Sequence, residues 1–592
     1  MYIAELKLWN FRRYGGSEWS LNKPHLIVPF QKGLNVLIGE NDSGKTAILD
    51  AIKLVLKTHA YEWIRVEESD FYLHSNKMRI EIIIKELSTD EASNFTEWLS
   101  WEEENSEAKP FLRLIYEAER KANRILSAEV KAGVDNVGHS LDAEAKEYLK
   151  STYLKALRDA DAELVAKKNS RLSQILLAHD LFSSVTNEGH EFEGFFRETN
   201  DKIKDWFAKD DTEQGCVKSN KEQIKDVIDK FLQDFIGDSY NSKLQLTDPD
   251  IRAILEKISI GLNGFDNVGL GTMNRLYMAT ELLHLKKEWE GLKLCLIEEL
   301  EAHLHPQSQM KVIETLLNEK DVQFILTTHS PNLASKVDVD KLIICNGGDV
   351  FPLTKGSTHL KDQDYIYLQQ FLDVTKSNLF FAKGVIIVEG WAEEIILPVI
   401  AKQLGYDLTK YEVSIINVGS TAYLNFAKIF LRTDRKVINI PVSIITDLDI
   451  RPDDGGNFNE AQEDAKRVNI EENLNGVVEN NIKLFLAKQW TLEWCLFKST
   501  LLGTLFKKSV SKVHSGTDEF KELSTNRFKI EFEGKLIKKL KKQEGTSKLD
   551  KVAIAHNLSE LLKQNNTDLK DKSDSYIHYL FDAIKHACRV SS

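Results

Sequence analysis

The sequence predicts an α/β protein with a first α/β domain, called the head, a helical insertion within that head, and a second α/β domain after it. Three observations indicate this organisation. A glycine-rich loop at 39–46 stands between the apolar run 34–38 and a stretch with helical spacing. Later in the chain, apolar runs alternate with helical stretches and end in polar residues, as at 294–299 and 324–330. A new set of apolar runs with acidic ends starts beyond residue 379.

Length and composition set the limits of the interpretation. At roughly 100–200 residues per domain, 592 residues suggest three or four domains. The net charge of −13 argues against a generally basic DNA-coating protein, although local basic patches can still bind DNA. The five cysteines form no CxxC pair, which argues against a zinc site or disulfide framework and favours a cytoplasmic compartment. No segment approaches the roughly 18 apolar residues of a membrane span.

Changes in the apolar pattern divide the chain into five segments. Residues rich in Ala, Lys, Glu and Leu, with few Gly or Pro, predict a helical insertion between two lobes of the head. The expected segments are an N-terminal lobe at 1–90, the insertion at 91–245, a C-terminal lobe at 246–350, a connector at 351–378, and the second α/β domain with a helical extension at 379–592.

The loop at 39–46 matches the phosphate-binding pattern GxxxxGK[ST] in full. Backbone N–H groups of such a loop, together with the start of the following helix, can surround phosphate oxygens. Lys45 is expected to reach the β- and γ-phosphates, and Thr46 to ligate magnesium. The nucleotide-binding residues of the loop are predicted to be Gly39, Asn41, Ser43, Gly44, Lys45 and Thr46. The sequence therefore predicts ATP and Mg²⁺ as cofactors.

Two further strand ends complete the predicted nucleotide site. The apolar run 294–297 ends in Glu298 and Glu299; we expect Glu298 to hold the magnesium and Glu299 to activate the attacking water. The apolar run 324–327 leads to His329, which is predicted to sense the γ-phosphate.

Four acids in the C-terminal half of the chain predict a second metal site. Glu389 follows the apolar run 385–388, and Glu393 lies four residues later, so that one helical turn can bring both to one side. Asp447 and Asp449 follow the apolar run 442–445, and alternate residues of a strand share a face. Carboxylate oxygens suit Mg²⁺, with Mn²⁺ or Ca²⁺ as alternatives here, and paired metals support phosphodiester cleavage.

The head resembles the RecF/SMC/OLD branch of ABC ATPases. The resemblance rests on the run from Glu298 to Pro306, on Thr328-His329-Ser330, and on the opening Trp9-Asn10-Phe11-Arg12. It implies that Asn10 and Arg12 belong to the nucleotide site. Leu300 stands where that branch usually has proline, and no LSGGQ signature is present. Gly269 and Gly271 stand at the expected place of that signature, where their backbone N–H groups could approach the γ-phosphate of a partner subunit.

The second α/β domain resembles Toprim domains through the ordered set VEG, xxE, GS and DxD. An ABC ATPase followed by Toprim is the arrangement of the OLD (overcoming lysogenisation defect) family of ATP-dependent nucleases. This resemblance implies that Glu493, in the segment Thr491-Leu492-Glu493, joins the second metal, and that Lys551 stabilises charge on the cleaved phosphate. For both residues, an ordinary surface position on a helix is the alternative.

The resemblance also implies DNA as the substrate, a homodimer or higher homo-oligomer formed through the insertion, and a role in prokaryotic defence against phages. A partner protein or nucleic acid encoded beside the gene is a further expectation. The main alternative is a non-cleaving RecF/SMC-like DNA-repair ATPase that uses Toprim as a DNA-binding module. A topoisomerase or primase is disfavoured, because no strand-passage domain or zinc site is visible in the sequence. The lysines at 535–548 are expected to form a solvated helix face, with DNA phosphate contact as the alternative.

Overall fold

The computed structural model describes most of the chain. The described residues are 1–59, 64–104, 107–121, 124–127, 129–155, 164, 166–168, 170–178, 180–183, 190–208, 219–236, 242, 250–264, 269–287, 291–420, 422–453, 457–474, 481–514, 526–541, 548–565, 569 and 574–590.

The described strands lie between Tyr2 and Leu486. The strands are β1 Tyr2–Trp9, β2 Leu26–Pro29, β3 Leu34–Ile38, β4 Lys77–Lys85, β5 Leu99–Glu104, β6 Glu107–Lys121, β7 Arg124–Ser127, β8 Lys131–Ala132, β9 His139–Ser140, β10 Thr152–Leu154, β11 Leu294–Ile297, β12 Gln323–Thr328, β13 Leu342–Asn346, β14 Asp349–Pro352, β15 Gly384–Val388, β16 Val413–Asn417, β17 Val442–Thr446 and β18 Ile482–Leu486.

The helices follow the same order. They are α1 Lys45–Leu56, α2 Thr89–Ser93, α3 Ala143–Tyr148, α4 Arg171–Ala178, α5 Asp180–Ser183, α6 Glu191–Ala208, α7 Asn220–Ile236, α8 Ile251–Leu255, α9 Leu270–Lys287, α10 Pro306–Asn318, α11 Pro331–Lys336, α12 Asp362–Phe371, α13 Trp391–Leu404, α14 Tyr423–Ala427, α15 Glu460–Leu474, α16 Leu492–Lys498, α17 Gly503–Val513, α18 Asn526–Leu540, α19 Lys551–Gln564 and α20 His578–Ala587. Short 3₁₀ turns lie at Glu68–Asp70, Val339–Lys341, Lys376–Phe380 and Lys428–Phe430.

Two sheets build the head. Among the described residues, one sheet has the order β2-β1-β4-β6-β8-β9, with β5 and β7 also paired to β6. The other has the order β10-β11-β12-β3-β13-β14, and its strands from β10 to β13 are parallel. The carboxyl ends of β3, β11 and β12 therefore meet at one edge, which brings the phosphate-binding loop, the paired acids and His329 together.

The prediction of a helical insertion at 91–245 is wrong for the first part of that segment. Strands β5 to β9 lie within residues 99–140 and complete the sheet of the N-terminal lobe. Strand β10 pairs in parallel with β11 and so belongs to the nucleotide-binding sheet. The compositional signal missed these strands because β6 carries many charged residues on a partly exposed face. Described helices dominate only from residue 171 onward.

A buried bidentate ion pair fixes the insertion to the head. Arg171 on α4 donates from Nε and Nη2 to the two carboxylate oxygens of Glu281 on α9, at 2.6 and 2.8 Å. Both side chains are at most 5% exposed. Either charge alone would be costly to bury, so each partner depends on the other, and the pair holds α4 against α9.

A third sheet, with the order β16-β15-β17-β18, forms the core of the last part of the chain. All of its pairings are parallel, so the ends of β15 and β17 lie at one edge. Helices α13, α19 and α20 pack with this sheet through an apolar cluster.

The head and the third sheet share one apolar core. Residues of the nucleotide-binding sheet, such as Val36, belong to the same cluster as Leu368 of α12 and Ile387 of β15. The expected connector at 351–378 is thus largely structured, with α12 packed inside this core. Across the described part of the chain, the helices are too short or too polar to cross a bilayer.

Candidate nucleotide and metal sites

Glycine is required at Gly44, where the phosphate-binding loop meets α1. Its φ of 102° lies in the left-handed region, and a Cβ at this position would collide with the Tyr14 side chain. Tyr14 is fully buried, and its hydroxyl lies 3.5 Å from the Ser43 carbonyl oxygen. Tyr14 thus supports the back of the loop, a contact that the glycine pattern alone did not reveal.

Lys45 is buried against its own loop. Its Nζ donates to the carbonyl oxygens of Gly39 and Glu40 at 2.9 and 2.7 Å, and to Ser43 Oγ at 3.2 Å. Desolvation lowers the pKa of Lys45 to about 8. The ammonium group therefore occupies the interior of the loop, where phosphate oxygens would replace the carbonyl groups as its acceptors.

The two predicted magnesium ligands are in direct contact. Thr46 Oγ1 donates to Glu298 Oε1 at 2.7 Å, although the residues are 252 positions apart. The other oxygen of this carboxylate, Oε2, accepts a hydrogen bond of 2.6 Å from the Tyr153 hydroxyl. A hydroxyl and a carboxylate side by side beneath a phosphate-binding loop fit a nucleotide-bound Mg²⁺ ion.

Glu301 organises the tip of β12. Its Oε2 accepts a hydrogen bond of 2.9 Å from Thr328 Oγ1, and its Oε1 accepts one of 2.5 Å from the His329 N–H. Burial and the nearby Lys45 charge lower the pKa of His329. Glu299 is exposed and has a φ of +45°, and its N–H donates to Thr327 Oγ1 at 3.0 Å. The sequence patterns indicated Glu299 and His329 but not Glu301. The Glu301 carboxylate holds the end of β12 and the backbone of His329.

Leu300 stands where the resemblance to RecF/SMC/OLD proteins leads us to expect proline. Its side chain is fully buried in the shared core, and its N–H donates to the Thr327 carbonyl oxygen at 3.4 Å. Proline could not make that hydrogen bond.

Arg12 contacts the loop helix, whereas Asn10 is hydrogen-bonded within the segment that follows β1. Arg12 Nη1 lies 2.6 Å from Asp50 Oδ2, and Arg12 Nε lies 2.9 Å from Asp70 Oδ1. Asn10 Oδ1 accepts from the Gly16 N–H at 3.3 Å. Their contact with a nucleotide stays a prediction.

The glycines predicted to face a partner's nucleotide differ in their surroundings. A Cβ at Gly271 would meet the carbonyl oxygen of His303 of the same chain at 2.6 Å, whereas nothing lies within 4 Å of such an atom at Gly269. Gly271 is therefore needed for close packing of α9 against the loop after Glu301. Contact with a second subunit's nucleotide stays a prediction for both glycines.

The acids of the second site lie at the carboxyl edge of the third sheet. Glu389 follows β15, and its Oε1 accepts a hydrogen bond from Thr446 Oγ1 at the end of β17. Asp447 Oδ1 accepts a hydrogen bond of 2.8 Å from the Leu492 N–H at the start of α16. Two strands and one helix thus bring these side chains together.

Two local assumptions about these acids were wrong. Helix α13 begins at Trp391, so Glu389 precedes the helix and does not share a turn with Glu393. Strand β17 ends at Thr446, so strand alternation does not place Asp447 and Asp449 on one face. Asp449 has a φ of +56°, is exposed, and donates its N–H to the Trp490 carbonyl oxygen at 2.8 Å.

The acids influence one another's protonation. Burial, and then the charge of Glu493, raises the pKa of Glu393 to about 7. Desolvation, followed by the charges of Glu493 and Glu393, raises the pKa of Asp447 well above its ordinary value. Burial also raises the pKa of Glu389, and the charge of Asp449 adds to this effect. Carboxylates this close to one another favour a cation among them.

Lys551 supplies a positive charge to this cluster. Its Nζ lies 2.8 Å from Glu493 Oε2, and the Glu493 side chain is only 4% exposed. The charges of Glu493, Asp447 and Glu393 raise the pKa of Lys551 despite its partial burial. Glu493 and Lys551 were predicted from the Toprim resemblance alone. The structure brings both to the predicted metal site.

The donor set fits divalent cations in its chemistry. The Tyr579 hydroxyl on α20 is buried without a hydrogen-bond partner among the described residues, and the charges of Asp447, Glu393 and Glu493 reach it. Within the described residues, however, no three His, Cys, Asp or Glu side chains are already arranged to hold one metal ion. The assignment of individual ligands therefore stays a prediction.

The lysine run at 535–548 is not a uniform solvated face. Lys539 is buried, and Lys541 Nζ donates to the Asp453 carbonyl oxygen at 2.9 Å. The remaining residues of the run from 542 to 547 lie outside the described part of the chain.

Two family models match the chain. Residues 1–334 match the AAA ATPase domain, and residues 380–449 match the Toprim domain of overcoming lysogenization defect protein-like proteins. Together these matches cover the phosphate-binding loop, the paired acids, His329 and the acids from Glu389 to Asp449.

Curated proteins show similarity along most of the chain. Endonuclease GajA of Bacillus cereus strain HuB5-5 is 19% identical, over 90% of this chain and 93% of that protein. The OLD nuclease of Thermus scotoductus is 22% identical, over 74% of this chain and 82% of its own length. The probable ATPase of retron Vc95 from Vibrio cholerae is 23% identical, over 58% of this chain and 74% of its own length. The chain belongs to the AAA ATPase domain family and joins this ATPase to a Toprim domain of the OLD-like type.

Proposed function

We propose that this chain is an ATP-dependent, metal-dependent DNA endonuclease that acts in prokaryotic defence against phages. The observation that carries the proposal is the meeting of Glu389, Asp447 and Glu493, from three separate segments, beside Lys551. The names of the relatives, an endonuclease, an OLD nuclease and a retron ATPase, agree with this activity.

In DNA cleavage, the acids at the edge of the third sheet would hold Mg²⁺ or Mn²⁺. We assign Glu389, Glu393, Asp447, Asp449 and Glu493 to this role. Such cations, when bound, activate water and stabilise the leaving 3′-oxygen of a phosphodiester. The chain itself orients the carboxylates, through Thr446 for Glu389 and through the Leu492 N–H for Asp447.

Lys551 has a separate role in the same site. Its ammonium group lies beside Glu493, where it can neutralise negative charge on the scissile phosphate. The charges of the neighbouring acids keep this lysine protonated.

In the head, the loop residues 39–46 bind the phosphates of ATP, while Thr46 and Glu298 hold its Mg²⁺. Glu299 is assigned to the attacking water and His329 to the γ-phosphate. Arg12 supports the site from the side of α1, Asn10 belongs to the same N-terminal segment, and Gly269 and Gly271 contribute at the junction with a second subunit.

The shared core offers a route by which ATP can control cleavage. Lys428 and Lys436, which follow β16, form ion pairs with Asp364 on α12 of the connector and with Asp349 on β14 of the head, at 3.0 and 2.7 Å. A change in the head on nucleotide binding would therefore act directly on the elements that carry the second site. We also propose a cytoplasmic location, where ATP and DNA are both at hand.

We further propose a homo-oligomer that forms through the helices of the insertion. Phe195 and Trp206 on α6 are each 53% exposed, and Val227 on α7 is 61% exposed. Such an apolar surface suits a second copy of the chain. Phe195→Glu combined with Trp206→Glu should lower the mass measured by light scattering; an unchanged mass would exclude this interface.

A plasmid assay tests the activity. Purified protein is incubated with supercoiled DNA and Mg²⁺ or Mn²⁺, with and without ATP, and ATP hydrolysis is measured in parallel. Asp447→Asn should abolish cleavage and leave ATP hydrolysis largely intact, whereas Lys45→Ala should abolish ATP hydrolysis. Asp464→Asn, an exposed acid on α15, is the matched control and should behave as wild type.

The outcomes separate the competing functions. Cleavage by Asp447→Asn at the wild-type rate would remove the second site from the proposal. DNA-stimulated ATP hydrolysis without cleavage would favour the repair ATPase, and an altered linking number without cleavage would favour a topoisomerase.

A further inference from the structure

Tyr153 connects β10 and α1 to the predicted magnesium ligand of the head. It lies in the middle of β10, opposite Leu296 of β11 in the parallel pairing. Its hydroxyl donates to Glu298 Oε2 at 2.6 Å, while Thr46 Oγ1 donates to Glu298 Oε1 at 2.7 Å. Each oxygen of this carboxylate is thus held by a different hydroxyl group.

The Tyr153 ring is itself held by the phosphate-loop helix. Lys53 Nζ lies 3.7 Å from the ring centroid and 2.6 Å from Asp50 Oδ1. Asp50 Oδ2 in turn lies 2.6 Å from Arg12 Nη1. Thr46, Asp50 and Lys53 are spaced by four and three residues, so they share one face of α1.

A glutamate at this position needs such support. Its side chain has three rotatable torsions, and the last of them is broad, so a single hydrogen bond leaves the carboxylate free to turn. A second donor on the opposite oxygen fixes the plane of the carboxylate. The Lys53 ammonium over the ring restrains the tyrosine that supplies this donor.

We propose that Tyr153 is a positioning residue for the nucleotide-bound metal, because its hydroxyl fixes Glu298 in the rotamer that faces Thr46. This inference rests on the proposed ATP-binding function of the head. Tyr153 acts on the metal through Glu298, the carboxylate that its hydroxyl holds. The network from Arg12 through Asp50 and Lys53 then links the turn after β1 to the position of this tyrosine.

The test uses the full-length chain and a fluorescent, non-hydrolysable ATP analogue. Tyr153→Phe removes the hydroxyl and keeps the ring above Lys53. The Mg²⁺ concentration for half-maximal analogue binding should rise about tenfold, the size expected for loss of a hydrogen bond to a charged group. Analogue binding in EDTA and the melting temperature should stay at wild-type values. Tyr148→Phe, in the N-terminal core, is the matched control.

A double-mutant cycle separates positioning from packing. In a Glu298→Gln background, Tyr153→Phe should cause little further change in the Mg²⁺ requirement, because both variants disturb one interaction. The inference would be overturned if Tyr153→Phe raised the Mg²⁺ requirement equally in both backgrounds. It would also be overturned if this change weakened analogue binding equally with Mg²⁺ and with EDTA. An unchanged Mg²⁺ requirement in Tyr153→Phe, with normal wild-type binding, would overturn the inference alone. Absence of Mg²⁺-dependent binding in the wild type would overturn the proposed head function as well.

Discussion

Lys551 Nζ lies 2.8 Å from Glu493 Oε2, so a lysine of the C-terminal extension is the counter-ion of an acid in the proposed DNA-cleavage site. The charge of the same lysine also reaches Asp447 and Glu393. A resident ammonium group and an incoming divalent cation are attracted by the same carboxylates. The two positive charges must therefore repel one another at this site.

Replacement of Lys551 should separate metal affinity from cleavage. Lys551→Met removes the positive charge while keeping most of the side-chain volume, so Mn²⁺ binding without DNA should strengthen roughly tenfold. Cleavage should nevertheless fall, because the charge beside the scissile phosphate is lost. Calorimetric titration with Mn²⁺ measures the first effect and the plasmid assay the second. Unchanged or weaker Mn²⁺ binding would contradict the competition between lysine and metal.

Glu301 should matter for ATP hydrolysis more than for ATP binding. Glu301→Ala removes the acceptor of the Thr328 hydroxyl and the His329 N–H, so the predicted γ-phosphate sensor loses its fixed position. We expect kcat for ATP hydrolysis to fall roughly 10- to 100-fold, as for a displaced catalytic group. Nucleotide affinity should change little. Glu314→Ala, which changes an exposed glutamate on α10, is the control. A variant Glu301→Ala that loses nucleotide affinity but keeps the wild-type kcat would contradict this role.

The ion pair between Arg171 and Glu281 predicts local instability when one partner is removed. Arg171→Ala leaves the Glu281 carboxylate buried without its partner, a loss of about 3–5 kcal/mol for such pairs. Hydrogen exchange should therefore show faster opening of α4 and α9. Arg171→Met combined with Glu281→Leu should open less readily than Arg171→Ala. Equal protection in wild type and Arg171→Ala would show that the pair contributes nothing measurable.

Because of His586, we expect the free energy of unfolding to depend on pH. Burial, and then the charge of Lys483, lowers the pKa of His586 to about 4, whereas an unfolded histidine has a pKa near 6.5. Between these values the unfolded chain binds more protons, so stability is lost as the pH falls from about 6.5 to 4. Neutral His586 Nδ1 lies 3.0 Å from Ser443 Oγ, which ties α20 to β17.

The measurement is the melting temperature of wild type and His586→Gln across this pH range. The difference between the two proteins should shrink on acidification, because only the wild type loses the favourable neutral histidine. A difference that stays constant from pH 7 to pH 4 would exclude His586 as the titrating group.

The sequence alone was sufficient for features that depend on short segments. The phosphate-binding loop, the strand ends at Glu298 and His329, and the acids Glu389 and Asp447 all follow apolar runs, because parallel strands expose polar residues only at their ends. The boundary of the insertion was wrong, because the charged, partly exposed β6 lacks the apolar run by which a buried strand is recognised.

Tertiary structure decided which distant groups meet. Tyr153 reaches Glu298, Glu301 binds the tip of β12, and Lys551 reaches Glu493, each across a loop or domain that no local pattern describes. Strand order and helix packing set these contacts, and periodicity within one element carries no information about the neighbours of that element. Sequence therefore determined the chemical groups and the edges at which they lie, while the packing of sheets and helices determined their partners.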